Sequence, residues 1–204
     1  MALSFLAVHQ AAENLLTCVC EGLDRLPVEV PGLAGCPCRV FVAPGEPAAD
    51  GCDSDCGALP EGTYPGQLTV HVVRTYITTR DAFPRYAPSS PDAVRDLKQC
   101  VMPPVTAVDL LVTLYRCVPG PTAGGCPPSA ADLGAAAMQL HADMLAIQQA
   151  VLCCYAATDT SRRNGRRYAL GQSATLPPRG DCVGVQQQIT VALDDCVPCP
   201  PVTP

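Results

Sequence analysis

A chain of 204 residues supports one sizeable hydrophobic core, and we read it as a single domain over 1–204. An apolar share of 48% excludes wholesale disorder, so the 22 prolines and 16 glycines imply many loops instead. A formal charge of −6 argues against a surface that neutralises phosphates or anionic lipid, so neither sequence-specific nucleic acid nor a membrane is an expected partner.

The first ten residues lack a basic region and soon meet His9, Gln10 and Glu13, so they do not read as a signal peptide. From Ser4 to Leu26, Val8, Ala12, Leu15, Val19 and Leu26 recur at helical spacing, which predicts helix one. Gly22 weakens its end, and Pro27 and Pro31 turn the chain into a loop. Cys36 to Ala43 is a short apolar run between Gly35 and Pro44, hence a strand. The loop from Pro44 to Gly66 is longer than a hairpin needs, so it is functional, cross-linked or mobile.

Gln67 to Ile77 is β-branched and alternating, with Leu68, Val70 and Val72 on one face. A second long loop spans 83–104, within which Ser90, Pro91 and Asp92 open a short helix ending at Cys100. Val108 to Val118 fits helix or strand by pattern, and its Val, Thr and Tyr favour a strand. Ser129 with Asp132 three residues on caps a long helix over about 129–156. Its stripe of Leu133, Ala137, Leu140, Met144, Ile147, Val151 and Cys154 should cover the sheet. Gln139, His141, Asp143, Gln148 and Gln149 make it a soluble core helix rather than a membrane span.

Tyr168 to Ala174 predicts a fourth strand, and Leu176-Pro-Pro-Arg-Gly180 leads into the last one, Gly180 to Cys196. In that strand Val183, Val185, Ile189, Val191 and Leu193 share one parity while Gln186, Gln188, Thr190 and Asp194 take the other. Only Gln187 breaks the apolar face, and the pattern predicts burial on one side. The class is therefore α+β: a mixed, mainly antiparallel sheet of four to five strands, covered by an N-terminal helix and the long helix.

Chemistry has little to stand on, and no catalytic, cofactor-binding or metal-ligating residue is assigned. His9 and His141 sit on predicted helices and His71 on the polar face of a strand, with no nucleophile elbow and no phosphate-binding Gly loop. The chain reads as a non-enzyme. Cys196-Val-Pro-Cys199 has dithiol spacing, but it is followed by Pro200 and Pro201 rather than by a helix. Cys36, Cys38, Cys52 and Cys56 offer four thiols at a spacing unlike a standard zinc ribbon, so disulfides or free thiols fit them better. Cys18, Cys100, Cys153 and Cys154 fall on or beside apolar helical faces and read as buried small hydrophobes. Arg162, Arg163, Arg166 and Arg167 form a basic cluster for an interface or a solvated loop.

The element order resembles the tail-terminator proteins of long-tailed bacteriophages. The segments Cys36-Pro-Cys-Arg-Val-Phe-Val-Ala-Pro-Gly-Glu46, Asp53 to Gln67 running into Leu-Thr-Val, Arg116-Cys-Val-Pro119 and Arg179-Gly-Asp-Cys-Val-Gly184 look like a cysteine-rich neck-region family of such phages. The resemblance implies a structural virion protein at the head-tail junction, assembled in the host cytoplasm. It would cap the tail tube as a ring, a hexamer as in the terminator family, and join the tail tube protein to the neck or head-completion proteins. Another connector or neck protein is the alternative, and a zinc-stabilised or thiol-redox intracellular domain the competing class. A virion reading also implies that close thiols oxidise after assembly. Under it Cys36, Cys38, Cys52, Cys56, Cys117, Cys126, Cys182, Cys196 and Cys199 are disulfide candidates, with Cys117–Cys126 and pairs within the first four as local guesses.

Overall fold

The computed structural model describes residues 6–48, 64–79, 81–86, 105–120, 126–155, 168–179 and 182–193. Its elements are α1 (Ala7–Leu23), α2 (Leu26–Glu29), β1 (Pro37–Ala43), β2 (Tyr64–Thr78), β3 (Val105–Cys117), α3 (Ala130–Cys153), β4 (Tyr168–Arg179) and β5 (Cys182–Leu193). The expected α+β class holds, with five strands in one mixed sheet of order β1-β2-β3-β5-β4. The predicted short helix over 91–100 lies outside the described residues.

β1 runs parallel to β2, and every other neighbouring pair is antiparallel. That one pairing explains the first long loop. A chain entering a parallel neighbour must travel back the full length of the strand, which takes about a dozen residues or more. A hairpin was therefore the wrong yardstick for Pro44 to Gly66, and its last three residues already belong to β2.

Both long helices share the inner sheet face. Leu15, Val19 and Leu23 of α1 and Ile147 and Val151 of α3 pack with Leu68, Val70, Leu110, Val112, Leu114, Val185, Ile189 and Val191. Each large aliphatic side chain buried there is worth roughly 1.5–3 kcal/mol in transfer free energy. Gly22 has a packing reason beyond ending α1: a Cβ there would stand 2.9 Å from that of Ala150. Pro27 does not force a loop. It sits in the first turn of the one-turn α2, where its missing N–H has no helical partner to lose.

Ser129 caps α3 as expected, its Oγ accepting the Asp132 N–H at 3.1 Å. The predicted stripe is seated only in part. Ile147 and Val151 are buried, whereas Leu133 is 50% exposed and Ala137 is exposed, so the first half of α3 stands clear of the sheet.

β5 carries its two parities as read, but its burial is not one-sided. It lies between β3 and β4, and Thr190 and Ala192 on its second face are also buried. Gln187 on the inner face is satisfied locally: its Nε2 donates to Gly171 O at 3.1 Å and to Gln188 O at 2.8 Å. Ser173 Oγ donates to its Oε1 and accepts from Gln148 Nε2 of α3 at 3.0 Å. β4 runs on through Pro177 and Pro178, beyond the expected end at Ala174. An edge strand tolerates proline because its outer N–H groups have no ladder partner.

Candidate functional site

The first cluster with chemistry is sulfur. Cys18 of α1 bonds Cys154, just past α3, and Cys20 of α1 bonds Cys36, just before β1. Two positions apart on a helix, Cys18 and Cys20 point to nearly opposite sides, so α1 is stapled both to its neighbouring helix and to the sheet. Asp24 reinforces the second staple, its Oδ1 accepting the Cys36 N–H at 2.9 Å.

These bonds correct several expectations. Cys36 pairs with Cys20, not within the group Cys36, Cys38, Cys52 and Cys56. Cys38 and Cys182 are disulfide-bonded as well. No disulfide joins Cys117 to Cys126. Cys18 and Cys154 are cross-linked rather than inert fillers, and Cys153 is an exposed free thiol. Cys52, Cys56, Cys100, Cys196 and Cys199 lie outside the described residues. With Cys36 and Cys38 oxidised, neither sulfur is a thiolate for the zinc alternative. The signal that was missed is positional: Cys18 lies beside Val19 within the apolar stripe of α1, Cys154 ends the stripe of α3, and the two helices pack together.

A second cluster is a buried ion pair that no local sequence pattern singles out. Arg116 grips Asp143 in bidentate fashion, Nε to Oδ2 at 3.0 Å and Nη2 to Oδ1 at 2.8 Å, with both side chains at most 5% exposed. Gln139 Nε2 donates to Asp143 Oδ1 at 2.9 Å and to Ala34 O at 3.2 Å, while Ala34 N–H donates back to Gln139 Oε1 at 2.7 Å. The network ties β3, α3 and the segment before β1 together. Both carboxylate oxygens are engaged, so it is built for fixing elements rather than for moving protons.

The second sheet face is polar yet buried. Asp109 of β3 is 1% exposed, and it accepts from Arg74 Nε at 2.5 Å and from Thr190 Oγ1 at 2.6 Å. That hydrogen bond and charge hold the Arg74 guanidinium above its usual range. Burial, then the Asp109 charge, pushes the Tyr76 phenol up, and its hydroxyl donates to Pro84 O. His71 is buried here with no partner for Nδ1, and desolvation lowers its pKa against an opposing pull from Glu46. A cavity of about 220 Å³ opens between Phe41, Pro44, Glu46, Pro47 and Gln67. His9 and His141 are exposed on α1 and α3. Among the described residues no group of three or more His, Cys, Asp or Glu side chains could hold a metal ion. The interface candidates Arg162, Arg163, Arg166 and Arg167 lie outside the described residues.

The third feature is apolar surface. Leu133, Met138, Leu145 and Leu152 of α3 are each at least half exposed, and Val40 and Phe41 of the edge strand β1 are exposed too. None of the described helices is long and apolar enough to cross a membrane. Val28 of α2 and Val73 and Ile77 of β2 are exposed as well, so the helix α3 and the β1 edge are two among several apolar patches. No protein-family model matches the chain, and no curated protein matches it.

Proposed function

We propose that the chain is a structural virion protein that caps the tail tube of a long-tailed bacteriophage as an oligomeric ring and joins tail to head. The observation that carries the assembly role is an open sheet with two unlike edges. β1 ends it on one side, short and exposing Val40 and Phe41, and the longer, proline-bearing β4 ends it on the other. Head-to-tail rings need two different patches per subunit, and two unlike sheet edges supply them. The virion setting comes from the likeness of the Cys36–Glu46 and Arg179–Gly184 segments to neck-region proteins. Disulfides in a small protein with many loops suit a particle that leaves the reducing cell.

Native mass spectrometry tests the ring. Closed oligomers are expected, and Phe41→Asp on the exposed β1 edge should dissociate them without lowering thermal stability. A strictly monomeric protein at high concentration overturns the reading. Labelled subunits imaged on particles would distinguish the end of the tail from a neighbouring neck layer.

A further inference from the structure

The outward side of α3 is a seam. Ala131, Met138, Leu145 and Leu152 stand seven residues apart and are all exposed, with Met138 at 55%, Leu145 at 67% and Leu152 at 52%. Gly134, Ala135, His141, Ala142 and Gln149 fill the positions between. A seven-residue apolar repeat stays in line only along another helix, so the period itself names the kind of occupant. From Gln139 onward the opposite side of α3 is held by the core and by the network around the Arg116–Asp143 pair, while the first turns stand clear; the helix as a whole runs 24 residues, about 36 Å.

Two further properties narrow the occupant. The seam carries no acidic or basic side chain except His141 at its flank, and α3 has no Lys or Arg with which to approach anionic lipid. The chain as a whole is acidic at −6, so copies repel over most of their surface and an uncharged strip is where they can meet. The seam is also graded in size. Its N-terminal half is small, with Ala131, Gly134 and Ala135, and its C-terminal half is large, with Leu145, Gln149 and Leu152. A Cβ on Gly134 would meet nothing within 4 Å, so the hollow is open.

We infer that α3 pairs with α3 of a second copy, antiparallel, about a two-fold axis near residues 141 and 142. In that register Ala131 faces Leu152, Gly134 faces Gln149 and Met138 faces Leu145, so each large side chain meets a small or flexible one. A parallel pair would set Ala131 and Gly134 against themselves, leaving a gap, and crowd Leu152 against Leu152. Opposed helix dipoles favour the antiparallel choice as well. The contact is isologous, so it is distinct from the ring contact and does not rest on it.

Sedimentation of the full chain should show two-fold association, weakened roughly a hundredfold by Leu145→Glu because the change enters the interface twice. Met138→Glu should act alike, and neither should alter the melting temperature, since both side chains are exposed. Orientation is read with Ala131→Cys: mild oxidation should join residue 131 of one copy to the exposed Cys153 of the other, identified by peptide mapping. A Cys153–Cys153 link in its place, or association unchanged by both glutamate variants, overturns the proposal. Phe41→Asp should leave the pair intact, which separates failure of this contact from failure of the ring.

Discussion

Asp143 is the residue on which most depends. Replacing it with Ala leaves the Arg116 guanidinium buried and unpaired, and Arg116 Nη1 already lacks a partner. A loss of about 3–5 kcal/mol is expected in denaturant unfolding. The double change Arg116→Met with Asp143→Leu should cost much less, because no buried charge is then stranded. Gly66 is a second such point, with φ +132° and a missing Cβ that would stand 2.4 Å from Tyr115 O. Gly66→Ala should therefore destabilise by at least roughly 1–3 kcal/mol, the usual range for backbone strain of this kind. His71 supplies a pH dependence. Its folded pKa lies below the ordinary 6.5, so the unfolded chain binds the proton more readily. Its contribution is full above that value and is lost as pH falls through the lower folded value. Melting temperature should drop as pH falls below about 6.5, and less so in His71→Gln.

Among the elements, the strands facing the helices were legible because alternation is a local property: Leu68, Val70 and Val72, or Val185, Ile189 and Val191, declare their face unaided. Pairing is not local. Nothing in Cys36 to Ala43 says whether its neighbour runs parallel, and Pro177 with Pro178 hides the far end of β4 because proline is barred from central strands but not from edges. The stripe on α3 was legible as apolar, but periodicity cannot say which half meets the sheet. The disulfides were partly legible: Cys36 and Cys182 were among the candidates, but the cross-helix partnership of Cys18 with Cys154 depends on how two helices cross. Closing loops with separations of 136 and 16 residues should contribute about 5 and about 3 kcal/mol through the unfolded chain. Converting Cys18 and Cys154 together to Ser should thus lower the unfolding free energy more than converting Cys20 and Cys36. Gly22→Val should destabilise without touching sulfur, by pushing α1 off Ala150.

For the molecule as a whole, the proposed contact faces differ in kind: a strand edge at β1, a proline-bearing edge at β4, and a helix seam on α3. A protein using all three would form rings that also meet face to face through α3, giving even-numbered particles; one using only the edges would stop at a single ring. Native mass spectra of the parent chain, Phe41→Asp and Leu145→Glu together tell these states apart. The cross-linked α1 bears on what such a particle withstands. Because Cys18 is bonded to Cys154, tension applied at the two ends of the chain runs through that bridge and bypasses everything between. β1, β2, β3 and α3 lie between the bridged residues and are shielded from stretching, and Cys182 of β5, itself disulfide-bonded, restricts what can be peeled beyond them. In an optical trap the oxidised chain should extend only by segments outside residues 18–154, and should lengthen several-fold once reductant severs the bridge.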